Sequence, residues 1–376
     1  MKILYLITHP FLGGAQKYVL ELSKNLKDKA KIWLGTGQDG WLVNELRKEN
    51  IPVVFFKNLK RSFNPFKNLF LIFEVKKFLD KNKFDIIHLN SSNALLAAIG
   101  AKLTKNKPKI VFTLHGLSIL HSNWQKSWLV KSIYYLVLKL SLYFVDKIIF
   151  VCQHDLDFAL KIKLIKKNKC FLIYNGLKSP EFLEKDLAKK FIEKTINQPL
   201  NNKIIIGTIS RLEYQKNIEN LLESAKILKR ENIIYLVIGD GPERKKIEKL
   251  MNQYQLKNKF FFLGDIPEAA KYLRAFDIFV LPSRCEGFPL VILEAMNARL
   301  PIVVTDVGGL KEMIENKKEG ILVEAKNPKI LAMAIKELIE NKNLARNLAE
   351  NAYRKVKEMF SLEKMVKETF NLYQEI

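Results

Sequence analysis

Short apolar runs alternate with amphipathic helical stretches along the chain, and this alternation constrains the fold most strongly. Within the runs, apolar residues do not alternate with polar ones, which is typical of parallel strands covered on both faces. Helices are predicted between the strands, for example at 15–27 and 68–81. The predicted strands are 2–8, 30–35, 53–57, 86–90, 110–114, 147–152 and 170–174, then 204–210, 234–239, 260–264, 278–281, 302–305 and 321–323. The pattern predicts an α/β protein with two Rossmann-like domains.

The 376 residues suffice for two domains of ordinary size. A charged, weakly patterned stretch at 177–203 separates the two series of strands. We therefore predict an N-terminal domain at 1–176, a C-terminal domain at 177–356, and a final helix at 357–376 that could pack back on the first domain. Ligands of such sheets bind at the carboxyl ends of the strands, so the expected site is the cleft between the domains.

Composition indicates a soluble protein of a reducing compartment. The hydrophobic content is 48% and the mean hydropathy is −0.05. The three cysteines, Cys152, Cys170 and Cys285, have no spacing typical of a metal site or a disulfide framework. The N-terminal apolar run is short and does not resemble a signal peptide. A cytoplasmic location is expected.

The positive charge is concentrated in the first half. The net charge is +24, and residues 1–176 hold 29 basic and 11 acidic side chains, against 34 and 28 in 177–376. This asymmetry predicts an anionic partner for the first domain: nucleic acid, a membrane surface or an acidic acceptor. No zinc-finger spacing, RNP-like signature or basic helix with heptads is present, so nucleic acid is not expected.

The segment 124–145 is apolar and aromatic enough to require a membrane test. Lys126, Lys131 and Lys139 interrupt it, whereas a spanning helix needs about twenty predominantly apolar residues. A membrane span is therefore rejected. Two alternatives stay open: the helix packs in the core of the first domain, or it lies on a lipid surface as a peripheral anchor at the inner face of the plasma membrane.

The loop-to-helix segment 285–296 carries the sharpest functional signal. Glu286 lies in a tight loop, Pro289 suits the first position of a helix, and Glu294 falls on the second turn. The free amides of a helix N-terminus suit a phosphate, and a carboxylate can accept sugar hydroxyls. We interpret the segment as a nucleotide-sugar pocket, and the alternative is that both acids are ordinary surface residues.

Four other segments follow predicted strands. Glycines allow the backbone to approach a phosphate closely, and arginine and lysine side chains can bind a phosphate. The alternative for each segment is a plain turn or a basic surface. His115 is the histidine we favour for function, because it ends a strand, while His9, His88, His121 and His154 are interpreted as structural. The four segments are Gly13–Gln16, Gly207–Asn217, Gly239–Glu243 and Thr113–Gly116.

Metal ligation has little support. Asp155 and Asp157 have the spacing of an aspartate pair that can hold a divalent metal, but they open a predicted helix, where aspartate caps the chain and favours the dipole. No metal site is predicted.

Taken together, these motifs resemble glycosyltransferase family four, whose members are retaining enzymes of the two-domain GT-B fold. The resemblance covers nearly the whole chain, and its second half is the more specific. The motifs are GGAQ, TLHG, YNGL, GTISRLEYQKN, IGDGPER, FLGDI and SRCEGFPLVILEAMNARLPIVVTDVGGL.

The resemblance implies a role for each matched residue. Arg211 and Lys216 would hold the donor diphosphate, Glu286 the sugar hydroxyls and Glu294 the ribose hydroxyls. His115 would lie beside the transferring sugar. The implied catalytic positions are therefore His115, Arg211, Lys216 and Glu286, and Glu294 belongs to the donor-binding positions. The remaining donor-binding positions are Gly14, Gly239, Asp240, Gly264, Phe288, Pro289, Leu290 and Val291, and at Pro289 one backbone amide is missing.

The expected activity is a metal-independent hexosyl or N-acetylhexosaminyl transfer. No cofactor is expected, because the nucleotide-diphosphate sugar is a co-substrate, with UDP favoured and GDP as the other base. The expected acceptor is polyprenyl-linked or a surface glycan at an anionic membrane. The alternatives are a nucleotide-sugar epimerase on the same fold and a non-catalytic protein that binds glycans or membranes.

Overall fold

The computed structural model describes residues 1–60, 65–117, 120, 127–229 and 231–376, with the side chains of 65–68 left out. The chain divides into two compact units. The first comprises Met1–Gly176 with Leu362–Ile376, and the second comprises Leu177–Ser361. The C-terminal segment therefore leaves the second unit at Ser361, not at the predicted residue 356, and belongs to the first.

A seven-stranded parallel sheet in the order β3-β2-β1-β4-β5-β6-β7 forms the first unit. Its register pairs Ile3 with Ile32 on one side and with Ile86 on the other. The strands are β1 (Lys2–Leu6), β2 (Lys31–Thr36), β3 (Val53–Phe55), β4 (Ile86–Leu89), β5 (Lys109–Leu114), β6 (Lys147–Phe150) and β7 (Cys170–Leu172). The helices are α1 (Gly14–Leu26), α2 (Trp41–Lys48), α3 (Pro65–Lys81), α4 (Ala97–Lys102), α5 (Trp128–Tyr143) and α6 (Gln153–Lys161), with α14 (Leu362–Gln374) from the end of the chain.

Two hydrophobic cores lie on opposite faces of this sheet, because successive residues of a strand point to opposite sides. Ile3 and Tyr5 of β1 pack in the core that also holds residues of α1, α2 and α14. Leu4 and Leu6 pack in the other core, which holds residues of α3, α4, α5 and α6. Both faces are thus covered, as the continuous apolar strands predicted.

The second unit contains a six-stranded parallel sheet in the order β10-β9-β8-β11-β12-β13. Its strands are β8 (Ile204–Ile209), β9 (Ile233–Ile238), β10 (Phe260–Gly264), β11 (Ile278–Leu281), β12 (Ile302–Thr305) and β13 (Ile321–Val323). Its helices are α7 (Lys185–Ile196), α8 (Ile218–Ile227), α9 (Arg244–Gln253), α10 (Leu290–Asn297), α11 (Leu310–Met313), α12 (Pro328–Glu340) and α13 (Lys342–Met359).

The predicted strands are all present, with ends that differ by at most two residues. The stretch 177–203, described from the sequence as charged and weakly patterned, contains α7, which buries Ala188 and Ile192. Among the helices of the described residues, none combines the length and apolar character needed to cross a bilayer.

Candidate functional site

The candidate site of the second unit centres on an ion pair between Lys216 and Glu286. The Nζ atom of Lys216 lies 2.7 Å from Oε1 of Glu286, and the hydroxyl of Ser283 donates to the same oxygen at 2.5 Å. The Glu286 side chain is 5% exposed and that of Lys216 is 19% exposed. A carboxylate so buried is tolerable only with such partners, so the pair fixes both side chains.

The loop that carries Glu286 is held by the neighbouring strand. Thr305, the last residue of β12, donates its hydroxyl to the carbonyl of Ser283 at 2.7 Å. Gly308 has φ +55°, and a Cβ there would lie 1.8 Å from the carbonyl oxygen of Glu286. Only glycine allows this approach without strain. The loops after β11 and β12 therefore position the carboxylate together.

Helix α10 begins at Leu290, and Pro289 is its N-cap rather than its first residue. The predicted position of Pro289 was therefore wrong by one residue, because its ψ of 120° keeps it extended. The amides of Leu290 and Val291 lie in the first turn, where a helix leaves its N–H groups without intrahelical partners. Glu294 is buried on the second turn, and Phe288 packs edge-to-face on Phe360 at 5.1 Å between ring centroids.

Arg211 follows β8 and points into solvent. Its side chain is 63% exposed, and its guanidinium lies 3.0 Å from Glu213. The structure thus brings Lys216 and Glu286 into contact but pairs Arg211 with a different acid. An exposed guanidinium retains donors for a planar, bidentate contact with phosphate.

The predicted donor-binding glycines shape the backbone around Arg211. Gly239 has φ +129°, and a Cβ there would lie 2.1 Å from the carbonyl oxygen of Ser210. The amide of Gly239 donates to the carbonyl of Gly264 at 2.7 Å, and the carbonyl of Asp240 accepts from Leu212 at 2.9 Å. The loops after β8, β9 and β10 are therefore joined through the main chain.

His115 and Gly14 belong to the first unit. His115 follows β5, and its ring packs edge-to-face on Tyr18 at 5.0 Å. Its Nε2 atom is enclosed and has no hydrogen-bond partner among the described residues, and burial lowers the pKa of the imidazole to about 4. The side chain is therefore neutral near pH 7. A Cβ at Gly14 would meet nothing within 4 Å in the part of the chain that the structure describes, so packing there does not require glycine.

A buried network of polar side chains around His88 could not be predicted from the sequence. Nε2 of His88 lies 2.7 Å from the hydroxyl of Thr113, and Nδ1 lies 2.5 Å from that of Tyr373, which donates to Tyr5 at 3.2 Å. Burial, and then the charge of His115, lower the pKa of His88 to about 3. His88 is a structural imidazole that ties α14 to β4 and β5.

The aspartates considered for a metal make contacts within the first unit. Asp155 is buried and accepts from the amide of Leu117 at 3.2 Å. Asp157 accepts from the side chain of Gln153 at 2.6 Å. Among the described side chains, no cluster of three or more histidines, cysteines or acids has the arrangement to hold a metal ion.

Two family models match consecutive parts of the chain. "Glycosyltransferase Family 4" matches residues 12–179, and "Glycosyl transferases group 1" matches residues 189–355. The chain is also 31% identical to an uncharacterized glycosyltransferase of Methanocaldococcus jannaschii over 322 residues, which is 81% of this chain and 80% of the relative. The chain belongs to glycosyltransferase family 4.

Two further similarities place this family 4 glycosyltransferase among proteins of known activity or structure. It is 28% identical to the UDP-Gal:alpha-D-GlcNAc-diphosphoundecaprenol alpha-1,3-galactosyltransferase of Escherichia coli, over 99% of this chain and 96% of the relative. The crystal structure of Anabaena HepE in complex with UDP and glucose superimposes with a TM-score of 0.86, at 23% identity and 100% coverage of both chains. The fold of the glycosyltransferase is GT-B, as predicted.

Sequence reasoning named no role for several residues that build the candidate site of this glycosyltransferase. Ser283 and Thr305 are ordinary hydroxyls in the sequence, and their roles depend on contacts between adjacent strands. Gly308 had a visible signal, the glycine pair after β12. Arg284 stacks its guanidinium 4.3 Å above the Tyr214 ring and donates to the carbonyl of that residue, which braces the segment before Lys216.

Proposed function

We propose that this chain transfers a sugar from a nucleotide-diphosphate sugar to a lipid-linked or surface-glycan acceptor, with retention of anomeric configuration. The observation that carries the proposal is the buried Lys216–Glu286 pair beside the N-terminus of α10. It sets a cation and a hydroxyl-binding carboxylate in fixed geometry next to free helix amides. Such a site suits a sugar diphosphate.

Charge development explains the roles of the basic residues. The leaving diphosphate gains negative charge as the glycosidic bond breaks, and prearranged cations and amides stabilise that charge. Lys216 is held by Glu286, while the exposed guanidinium of Arg211 is available to fork onto phosphate oxygens. These cations take the place of a metal ion, so transfer is proposed to be metal-independent.

Retention requires that the acceptor attack on the face that the diphosphate leaves. The acceptor hydroxyl forms the new bond to the anomeric carbon as the bond to the diphosphate breaks, and the departing phosphate oxygen takes the hydroxyl proton. His115 is neutral near pH 7, so we assign it a hydrogen-bonding role beside the sugar rather than a charge. Glu286 orients sugar hydroxyls, and Glu294 the ribose.

The donor and acceptor classes rest on relatives. The name of the Escherichia coli relative specifies a UDP-sugar and a diphosphoundecaprenol acceptor, and HepE was crystallised with UDP. We therefore favour UDP over GDP and a polyprenyl-linked acceptor, with a hexose or N-acetylhexosamine as the sugar. An acceptor of this kind, and the basic first half, favour a peripheral position at the cytoplasmic face of the plasma membrane.

Thermal unfolding with a panel of nucleotide diphosphates tests the donor site. A ligand at about 100 times its Kd stabilises the folded state by about 2.7 kcal/mol, so UDP should raise the Tm clearly. Arg211→Ala should reduce the shift, whereas Arg299→Ala, which removes another exposed ion pair of the same unit, should not. Equal shifts in both variants, or none with any nucleotide, would refute the donor assignment.

Product analysis separates the alternatives. An epimerase would convert the donor sugar without an acceptor, and a non-catalytic binding protein would leave the donor intact. We expect the intact donor to persist until an acceptor is added.

A further inference from the structure

Helix α5 turns an apolar stripe to solvent. Leu129, Ile133, Leu136 and Leu140 recur at spacings of three and four residues, and all are exposed. Leu138, Ser141 and Leu142 are buried and lie on the opposite side. A surface helix of a water-soluble unit normally shows the reverse arrangement. The stripe ends in exposed aromatic residues, Trp128 and Tyr143, while Tyr134 and Tyr135 pack partly against the core.

Helix α3 adds a second apolar patch to the same side of the first unit. Leu69, Phe70 and Phe73 are exposed on it. Leu71 and Val75 of α3 pack in the same core as Leu138 of α5, so both helices cover one face of the sheet. We call these exposed residues of α3 and α5, together with Trp128 and Tyr143, the apolar face. A concentration of large exposed apolar side chains on one side of a unit marks an interaction site.

The charge around the apolar face indicates what covers it. Segments 65–107 and 127–145 contain ten lysines and three acids. The acids are engaged inside the unit: Glu74 accepts from the amides of Lys57 and Asn58, Asp80 pairs with Lys76, and Asp85 accepts from the amide of Lys2. Exposed apolar helices in segments with a net excess of lysine match an anionic lipid interface, whereas two copies would bring like charges together.

We propose that the apolar face is a membrane-docking surface, inserted at the boundary between headgroups and acyl chains of an anionic bilayer. The aromatic ends and lysines would then lie at headgroup level. This inference rests on the proposed function in one respect: a lipid-linked acceptor would lie at the same membrane surface. Because apolar insertion contributes, salt should weaken binding without abolishing it. Residues 124–126 lie outside the described part of the chain.

Vesicle flotation of the full-length protein tests the docking surface. Wild type should float with vesicles of phosphatidylcholine and phosphatidylglycerol, and a measurable fraction should remain bound at high salt. The double variant Leu136→Glu/Leu140→Glu should lower the partition coefficient by about a hundredfold or more, because it places two charges in the acyl region. Met333→Glu, at an apolar position of the second unit that is more exposed than either leucine, is the control and should float as wild type does.

Membrane binding and sugar transfer can fail independently, so the two tests have different outcomes. Both altered side chains are exposed, so the double variant should keep its Tm, its UDP-induced shift and its turnover with a detergent-dispersed acceptor. Wild type that ignores anionic vesicles, or a double variant that floats normally, overturns the docking surface. A wild-type dimer that the double variant disrupts would assign the apolar face to a second copy. Flotation without any sugar transfer would refute the proposed function and leave the docking surface standing.

Discussion

Lys216→Met separates the structural role of the buried ion pair from its role in transfer. Methionine preserves much of the side-chain volume but removes the cation that lies 2.7 Å from Glu286. Breaking a fully buried pair costs about 3–5 kcal/mol, and the 19% exposure of Lys216 lets water replace part of the interaction. We therefore expect a loss of roughly 2–3 kcal/mol, discounted for that exposure.

Thermal and chemical unfolding measure this loss. For a unit of this size each kcal/mol lowers the Tm by about 2–4 °C, so the expected decrease is roughly 4–12 °C. Lys246→Met, which removes a surface pair with Glu219, is the matched control and should change the Tm far less. In Lys216→Met/Glu286→Gln the buried charge is gone as well, and much of the stability should return.

Turnover should follow a different pattern. Lys216→Met should lower the transfer rate by about a hundred- to a thousandfold, because charge on the leaving diphosphate loses a partner. The double variant should stay inactive although it is more stable. A wild-type Tm for Lys216→Met would show that the pair does not support the site, and recovered turnover in the double variant would show that Lys216 has no direct role.

Three more predictions concern the site and its acid response. Transfer should persist in EDTA because cations hold the diphosphate, and loss on chelation that manganese reverses would contradict this. Glu286→Gln should weaken sugar transfer more than it weakens UDP binding measured by calorimetry. Glu294→Ala should weaken UDP binding more than it weakens transfer. Equal effects of the two changes on UDP binding would show that the two roles are misplaced. The folded-state pKa values of His88 and His115, about 3 and about 4, lie below the unfolded value, so the unfolded chain takes up protons first as pH falls. The free energy of unfolding, measured by denaturant titration at each pH, should fall by about 3–4 kcal/mol between pH 7.5 and 5. The fall should be smaller in His88→Gln. A free energy that does not change with pH would contradict the burial of these rings.

The architecture was predictable because it depends on local patterns. Continuous apolar runs and helical periodicity placed every strand, and the resemblance selected Lys216 and Glu286, which the structure brings into contact. The resemblance could not indicate that Arg211 points outward to Glu213, because side-chain direction depends on the loop around it. The roles assigned to individual site residues stay predictions.

The features that could not be predicted from the sequence depend on contacts between residues far apart in the chain. His88 and Tyr373 are 285 residues apart, and nothing near either residue indicates that they meet. The composition of α5 suits a core helix and a lipid-facing helix equally, and only the packing on Leu138 and Leu142 shows which side is covered. The boundary at Ser361 likewise depends on where α14 packs, which local sequence does not encode.

Sugar transfer in the presence of EDTA tests the central claim most directly. Wild type and Arg211→Ala are incubated with labelled UDP-sugars and vesicles that carry a polyprenyl-diphosphate-linked acceptor, and label in the lipid fraction is measured together with released UDP. We predict that one UDP is released for each sugar transferred, only when the acceptor is present, and about a hundred- to a thousandfold more slowly in Arg211→Ala. Conversion of the donor sugar without an acceptor, or an Arg211→Ala rate within tenfold of wild type, would contradict the account.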